Sequence, residues 1–179
     1  ARLLYSYLHD LTELDSQDTG VELSLAEVED IPYFIDAFPE FLVRSQVAGN
    51  LGDRLAGAFE QAFSEGARKV VLTGSDVPDL DHQVVEQALD ALEESPVVLG
   101  PSNDGGYYLI GLQEPADSLF RGIAWSTDIV LEQTLQKVEE EGFSAALLAK
   151  LDDIDNVDAY RHWSERLRVE RSEGEFTKR

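Results

Sequence analysis

Two carboxylates stand out by their settings. Asp76 lies in VVLTGSDVPDL, where an apolar run ends on Gly74-Ser75 and Pro78 turns the chain. Asp104 lies in VVLGPSNDGGYYLIGL, at an acidic, glycine-rich tip between two apolar stretches. An ionised aspartate offers hard oxygen donors, so two chemistries are open: holding a divalent cation against anionic oxygens, or taking a proton. Gly74, Gly105 and Gly106 would let a ligand approach the backbone, and Gly105-Gly106 can take positive φ. Each stretch alone has a plainer reading. An aspartate after a strand commonly caps a helix or closes a turn, and Asp-Gly is a favoured hairpin pair. A third acidic run, LDDIDNVD, carries Asp152, Asp153, Asp155 and Asp158. It lacks the glycine and terminal glutamate of an EF-hand loop, so it reads as a solvated helix entry. One of its carboxylates could still close a metal site built by distant segments.

Composition narrows the chemistry. The 179 residues contain no cysteine, which excludes disulfides, thiolate catalysis and zinc-thiolate sites. His9, His82 and His162 are far apart in sequence. Any metal must therefore sit among oxygens, which points to magnesium, manganese or calcium. With 14 basic and 36 acidic residues the net charge is −22, and such a surface repels phosphate backbones, so nucleic acid is not the expected partner. Ten arginines against four lysines fit either ordinary acidic solubility or a salty cytoplasm. Self-repulsion of this size should be screened as salt rises, so the melting temperature is expected to climb from dilute buffer to molar KCl. A flat or falling curve would leave solubility as the only reading.

Hydrophobic residues make up 43% of the chain, enough for the core of one ordinary domain over residues 1–179. No apolar run approaches the roughly 20 residues that span a bilayer, and no basic-then-apolar leader is present. A cytoplasmic protein is expected. The start at Ala1 and the absence of methionine fit a fragment or a processed form.

The elements that must position the two aspartates follow from periodicity. ARLLYSYLHDLTEL has helical spacing, VELSLA reads as a short strand, IPYFIDAF as a short helix and FLVR as a further strand. Leu55, Phe59 and Phe63 mark a helix closed by Gly66 as a left-handed cap. KVVLTG then reads as a buried strand of the kind found inside parallel sheets. Asp81 can cap the next helix, striped by Val85, Leu89 and Leu92, and PVVLG and YYLIGL are strands on either side of the acidic tip. Val130, Leu131, Leu135 and Val138 predict a helix ended by Gly142, and ALLAKL a short strand. A final helix is expected over residues 157–171, before a frayed tail at 171–179. Helices alternating with short buried strands predict a three-layer α/β/α domain, its sheet mostly parallel with an antiparallel element at NDGG. In such sheets ligands collect at the carboxyl ends of the strands, where KVVLTG delivers Gly74, Ser75 and Asp76.

The order NLGDRLAGAF, VVLTGSDVPDL, VVLGPSNDGGYYLIGL, GIAWST and LDDIDNVD resembles a family of bacterial GT-A-type transferases. That family is related to nucleotide-diphospho-sugar transferases and to small-cofactor nucleotidyltransferases, and the likeness runs to about Tyr160. It implies a GT-A-like fold and a Mg²⁺- or Mn²⁺-dependent site for a nucleotide-activated donor and an unidentified acceptor. Asp76 falls on the family's metal-binding acidic position and Asp104 on the aspartate of its DGG motif. Asp104 would be a second metal ligand, an orienter of the acceptor hydroxyl, or its general base. Trp125-Ser126-Thr127 falls on the acceptor side. Arg54 would neutralise a phosphate or orient Asp76, against a plain surface arginine, and Trp125 has a core-aromatic reading beside a stacking one. Glycosyl transfer is the leading expectation, with nucleotidyl transfer to a small phosphorylated acceptor, or a non-catalytic nucleotide-binding domain, as rivals.

Two departures from the family pattern matter. Val77 stands where the family usually has cysteine, which removes a thiol without touching the metal reading. The family's opening strand and its basic, glycine-rich phosphate loop have no counterpart here, so open strand edges are expected, covered either by a further N-terminal segment or by a homodimer.

Overall fold

The computed structural model describes residues 19–152 together with Arg161 and Trp163. The expected first helix, Asp153, Asp155 and Asp158, and most of the last helix lie outside the described residues; Arg161 and Trp163 are helical. Strand β1 spans Glu22–Leu25, helix α1 Ile31–Ala37 and strand β2 Leu42–Ser45. Helix α2 covers Leu51–Ser64, β3 Val70–Thr73, α3 His82–Ala91, β4 Val97–Pro101 and β5 Tyr107–Leu112. Helix α4 covers Val130–Glu140 and β6 Ala145–Leu147.

Local chemistry sets the helix boundaries. Asn50 and Asp53 form a reciprocal capping box at the start of α2, which stops before Gly66 at φ +101°. Asp81 caps α3 by accepting from the Val84 amide at 3.0 Å. Helix α4 starts without a side-chain cap; the Thr127 hydroxyl instead donates to the Ala124 carbonyl at 2.6 Å.

The main sheet has the order β3-β5-β4-β6. β3 and β4 both run antiparallel to β5, while β6 runs parallel to β4. Three strands of this sheet therefore point one way, and β5, entered through the acidic tip, is the reversed one. Alternation along β4 sends Val97 and Leu99 to one face and Val98 to the other. On the first face they meet Phe59 of α2 and Val138 of α4; on the second, Ala88 and Leu92 of α3 and its flank. The domain is thus a three-layer α/β/α sandwich. Among the described residues no helix is long and apolar enough to cross a membrane.

β1 and β2 form a separate parallel pair. Two polar clasps and an apolar cluster fasten it to the rest. Arg44 of β2 makes a bidentate pair with Glu65, just before β3, and lies 3.2 Å from Glu22. The hydrogen bonds from Arg44 hold the Glu65 carboxyl below its ordinary range, whereas burial pushes Glu22 up. Gln46 joins Arg54 of α2, and Phe38 and Phe41 stack and pack with Val85 of α3.

KVVLTG departs from the sequence expectation. β3 is half-buried at every residue, and its paired neighbour is the antiparallel β5. Its other edge pairs with nothing among the described residues, and neither does the edge of β1 away from β2. Both edges border one cavity of about 1870 Å³, with Leu55 and Ala58 of α2 on one side and Val85 and Leu89 of α3 on the other. An inner parallel strand is buried by neighbours on both edges, and among the described residues β3 has a neighbour on one edge only.

Candidate functional site

The cavity continues to the carboxyl ends of β3 and β4, where the acidic loops lie. After Thr73 the Gly74 amide donates to the Tyr108 carbonyl at 2.9 Å, which keeps this loop against the start of β5. A side chain on Gly74 would come within 2.8 Å of Asp76 Oδ1, so glycine leaves room for that carboxylate to fold back. Asp76 is exposed, and its carboxylate makes no hydrogen bond or ion pair among the described residues.

The Asp104 tip is tightly organised. The Ser102 amide donates to the Gly106 carbonyl at 3.1 Å and closes the turn. Asp104 Oδ1 accepts from the Gly106 amide at 2.9 Å and from the Ser102 hydroxyl, leaving Oδ2 without a partner among the described residues. Ser102 itself is buried, which fixes the carboxylate from below. The tip is indeed a hairpin turn, yet its carboxylate faces the cavity too.

Gly105 has φ +91° and sits against the entry of α4, whose Leu131 amide donates to the Gly105 carbonyl at 2.9 Å. A Cβ at this position would lie 2.1 Å from the Asp128 carbonyl oxygen. The glycine therefore welds the acidic tip to the Trp125–Asp128 segment. Trp125 meets Tyr107 edge-to-face at 6.5 Å and packs against the core, as its core-aromatic reading expects, and it also borders the cavity. Ser126 has φ +64°, the one positive φ among the described non-glycine residues. Such strain persists only where its surroundings impose it, and it clusters at functional sites.

Arg54 reaches the cavity from the first turn of α2. Its Nε donates to the Gly49 carbonyl and its Nη1 to Gln46 Oε1, both at 3.2 Å. Arg54, Gly74, Ser75, Asp76, Asp104, Gly106, Trp125, Ser126 and Thr127 thus all border one cavity. Gly105 does not; it works behind the surface. Sequence reasoning missed Gln46, Ser102 and Asp128, which border it as well. For Asp128 the signal was adjacency to WST; for Gln46 and Ser102 nothing in the local pattern marked them.

The start of the acidic run, Leu151 and Asp152, lies at the same end of the sheet. The Leu151 amide donates to the Pro101 carbonyl at 3.1 Å, and Asn103 Nδ2 donates to Asp152 Oδ1 beside the Asp104 tip. Asp79 is engaged differently, accepting from Trp163 Nε1 at 3.0 Å. Burial pushes the Tyr107 phenol up to about 12, so it stays neutral and cannot serve as a base near pH 7.

The metal question turns on the donor set. Among the described residues no three acidic or imidazole side chains converge into a closed metal cluster. The exposed oxygens of Asp76 and Asp104 suit a hard cation that brings most of its shell as water and phosphate, in the manner of magnesium. The residues present therefore fit an open site rather than a cage.

Comparison with known proteins decides the family. Residues 12–127 match the model of DUF2064, described as an uncharacterized protein conserved in bacteria. The chain belongs to this family. A crystal structure from Desulfovibrio desulfuricans G20, a proposed nucleotide-diphospho-sugar transferase, is 30% identical with a TM-score of 0.78. That match covers 87% of this chain and 70% of the other. A manganese complex of Rv0371C from Mycobacterium tuberculosis H37Rv is 15% identical, with a TM-score of 0.59 over 89% of this chain and 84% of its own. CMP:2-keto-3-deoxy-manno-octonic acid synthetase complexed with CTP is 10% identical, with a TM-score of 0.60 over 93% and 88%. The last two share the fold. No curated protein matches the sequence.

Proposed function

We propose that this DUF2064 member is a divalent-metal-dependent transferase that uses a nucleotide-activated donor, with a nucleotide-diphospho-sugar as the leading substrate class. The observation that supports this reading is that Asp76, Asp104 and Arg54 all border one cavity. The resemblance to the proposed sugar-nucleotide transferase supports the donor class.

Asp76 and Asp104 would hold Mg²⁺ or Mn²⁺, which supplies electrostatic stabilisation of the charge developing on the leaving diphosphate. Asp76 is suited to that role because no group among the described residues competes for its oxygens. Asp104, with Oδ1 fixed by Ser102 and Gly106, presents Oδ2 in a set direction, as a ligand or as a base for the acceptor hydroxyl. In glycosyl transfer the acceptor oxygen bonds to the anomeric carbon, the bond to the diphosphate breaks, and the nucleoside diphosphate keeps the electron pair. Where Oδ2 of Asp104 is not taken up by the ion the acceptor proton passes to Asp104, and otherwise to solvent. Arg54 places positive charge where phosphate oxygens gain negative charge.

Nucleotidyl transfer is the second reading, favoured by the fold shared with the CTP-bound synthetase. Product mass spectra of the full-length protein with Mn²⁺ and either UDP- and GDP-sugars or CTP and GTP separate the two. Release of nucleoside diphosphate from a sugar nucleotide is the expected result. Pyrophosphate released from CTP or GTP would replace sugar transfer by nucleotidyl transfer, and tight binding without either product would mark a non-catalytic domain.

A further inference from the structure

The chain carries 36 acidic residues, yet Arg54 has no carboxylate partner among the described residues. Among the described residues Arg44, Lys69, Arg121 and Lys137 each form an ion pair with an aspartate or glutamate, while Arg68 and Lys150, like Arg54, form none. Both acceptors of Arg54 are neutral: the Gly49 carbonyl and the Gln46 side-chain amide. Its neighbour Asp53, the nearest carboxylate in sequence, is committed to the Asn50 amide through the capping box. Neutral acceptors orient a guanidinium without cancelling its charge.

Gln46 is itself held. Its backbone amide donates to the Leu25 carbonyl at 2.8 Å and its Nε2 to the Ser24 carbonyl at 3.0 Å, both on β1. Ser24 offers a carbonyl, which only accepts, and Arg54 only donates, so the amide has a single orientation that satisfies both. Oε1 must face Arg54. A glutamate here would reach equally far but would neutralise the guanidinium and set a carboxylate against the Ser24 carbonyl.

We propose that Gln46 is a positioning residue that braces Arg54 as an uncompensated cation for a phosphate group of the bound ligand. The proposal deepens the reading of the cavity as a nucleotide site and rests on it for the nature of the ligand. It adds what that reading does not contain: a neutral brace, anchored on the β1–β2 pair, that keeps the arginine available to an anion in an acidic protein.

Inorganic pyrophosphate is the probe, titrated without any divalent metal so that ion binding at Asp76 takes no part. Two readouts are followed: the ¹⁵N resonance of Arg54 Nε–H, and affinity by calorimetry. Pyrophosphate is expected to shift the Arg54 resonance. Loss of a charge-assisted contact in Arg54→Ala should weaken affinity by about tenfold or more. Gln46→Leu should weaken it several-fold by releasing the guanidinium, and Gln46→Glu more than Gln46→Leu by pairing with it. A merely structural role predicts that affinity follows melting temperature across the variants, whereas the brace predicts the order glutamine, leucine, glutamate whatever their stabilities. An Arg54 resonance unmoved by millimolar pyrophosphate would overturn the proposal, as would Gln46→Glu binding as tightly as wild type. Failure of Asp76 to bind an ion would sink the metal reading and leave these titrations unaffected.

Discussion

Gly105→Ala is expected to lower stability by roughly 3 kcal/mol and to abolish nucleotide binding, although Gly105 does not line the cavity. Two costs combine. At φ +91° an L-residue is strained, and its Cβ would sit 2.1 Å from the Asp128 carbonyl oxygen, a backbone atom that no rotamer change can move aside. Relief requires the acidic tip to part from α4, breaking the bond from the Leu131 amide and carrying Asp104 away from the Trp125–Asp128 side of the cavity. Gly122→Ala is the control, because Gly122 has φ +74° with nothing within 4 Å of the added Cβ. It should lose only the conformational part, about 1 kcal/mol. Chemical denaturation of both variants checks this, and equal losses would show that the contact with Asp128 does not hold the tip.

Asp76→Asn should lose binding without losing stability: it should abolish Mn²⁺-dependent nucleotide binding while leaving the melting temperature within about 1 °C of wild type. The carboxylate is exposed and makes no bond among the described residues, so folding loses nothing when its charge is removed. Binding loses a charged ligand at a site where the protein offers few others, and a neutral amide oxygen is a poor substitute. Asp104→Asn should be milder in stability terms than Gly105→Ala, because an amide oxygen can still accept from Ser102 and Gly106. Calorimetry with nucleotide and Mn²⁺, beside a thermal melt of the same sample, separates the two effects. Wild-type affinity in Asp76→Asn would refute the metal assignment.

Much of this arrangement was readable from the chain. The buried strand β4 and helices α2, α3 and α4 carry strong periodicity and clear caps at Asp81 and Gly66, so local and tertiary preferences agree there. Asp76 and Asp104 were visible because glycine beside an acidic residue after an apolar run is an unusual combination. The half-buried state of β3 was not visible, since four apolar residues look the same whether one edge or both are paired. Gln46 and Ser102 were missed for a related reason. Their significance comes from partners across the fold, Arg54 and Ser24 for one and the Asp104 tip for the other, and no local spacing encodes such contacts. The Ser126 backbone strain is likewise imposed by its surroundings, not by its side chain.

The central claim is that Asp76 and Asp104 hold one ion between them. Paramagnetic broadening by substoichiometric Mn²⁺, recorded on ¹⁵N-labelled full-length protein with UDP, GDP and CDP in turn, tests it directly. The account predicts that the amides of Gly74–Asp76 and of Asp104–Gly106 broaden together with at least one nucleotide, and that Asp76→Asn removes both effects. Broadening of one loop without the other, or of neither with any of the three nucleotides, would contradict it.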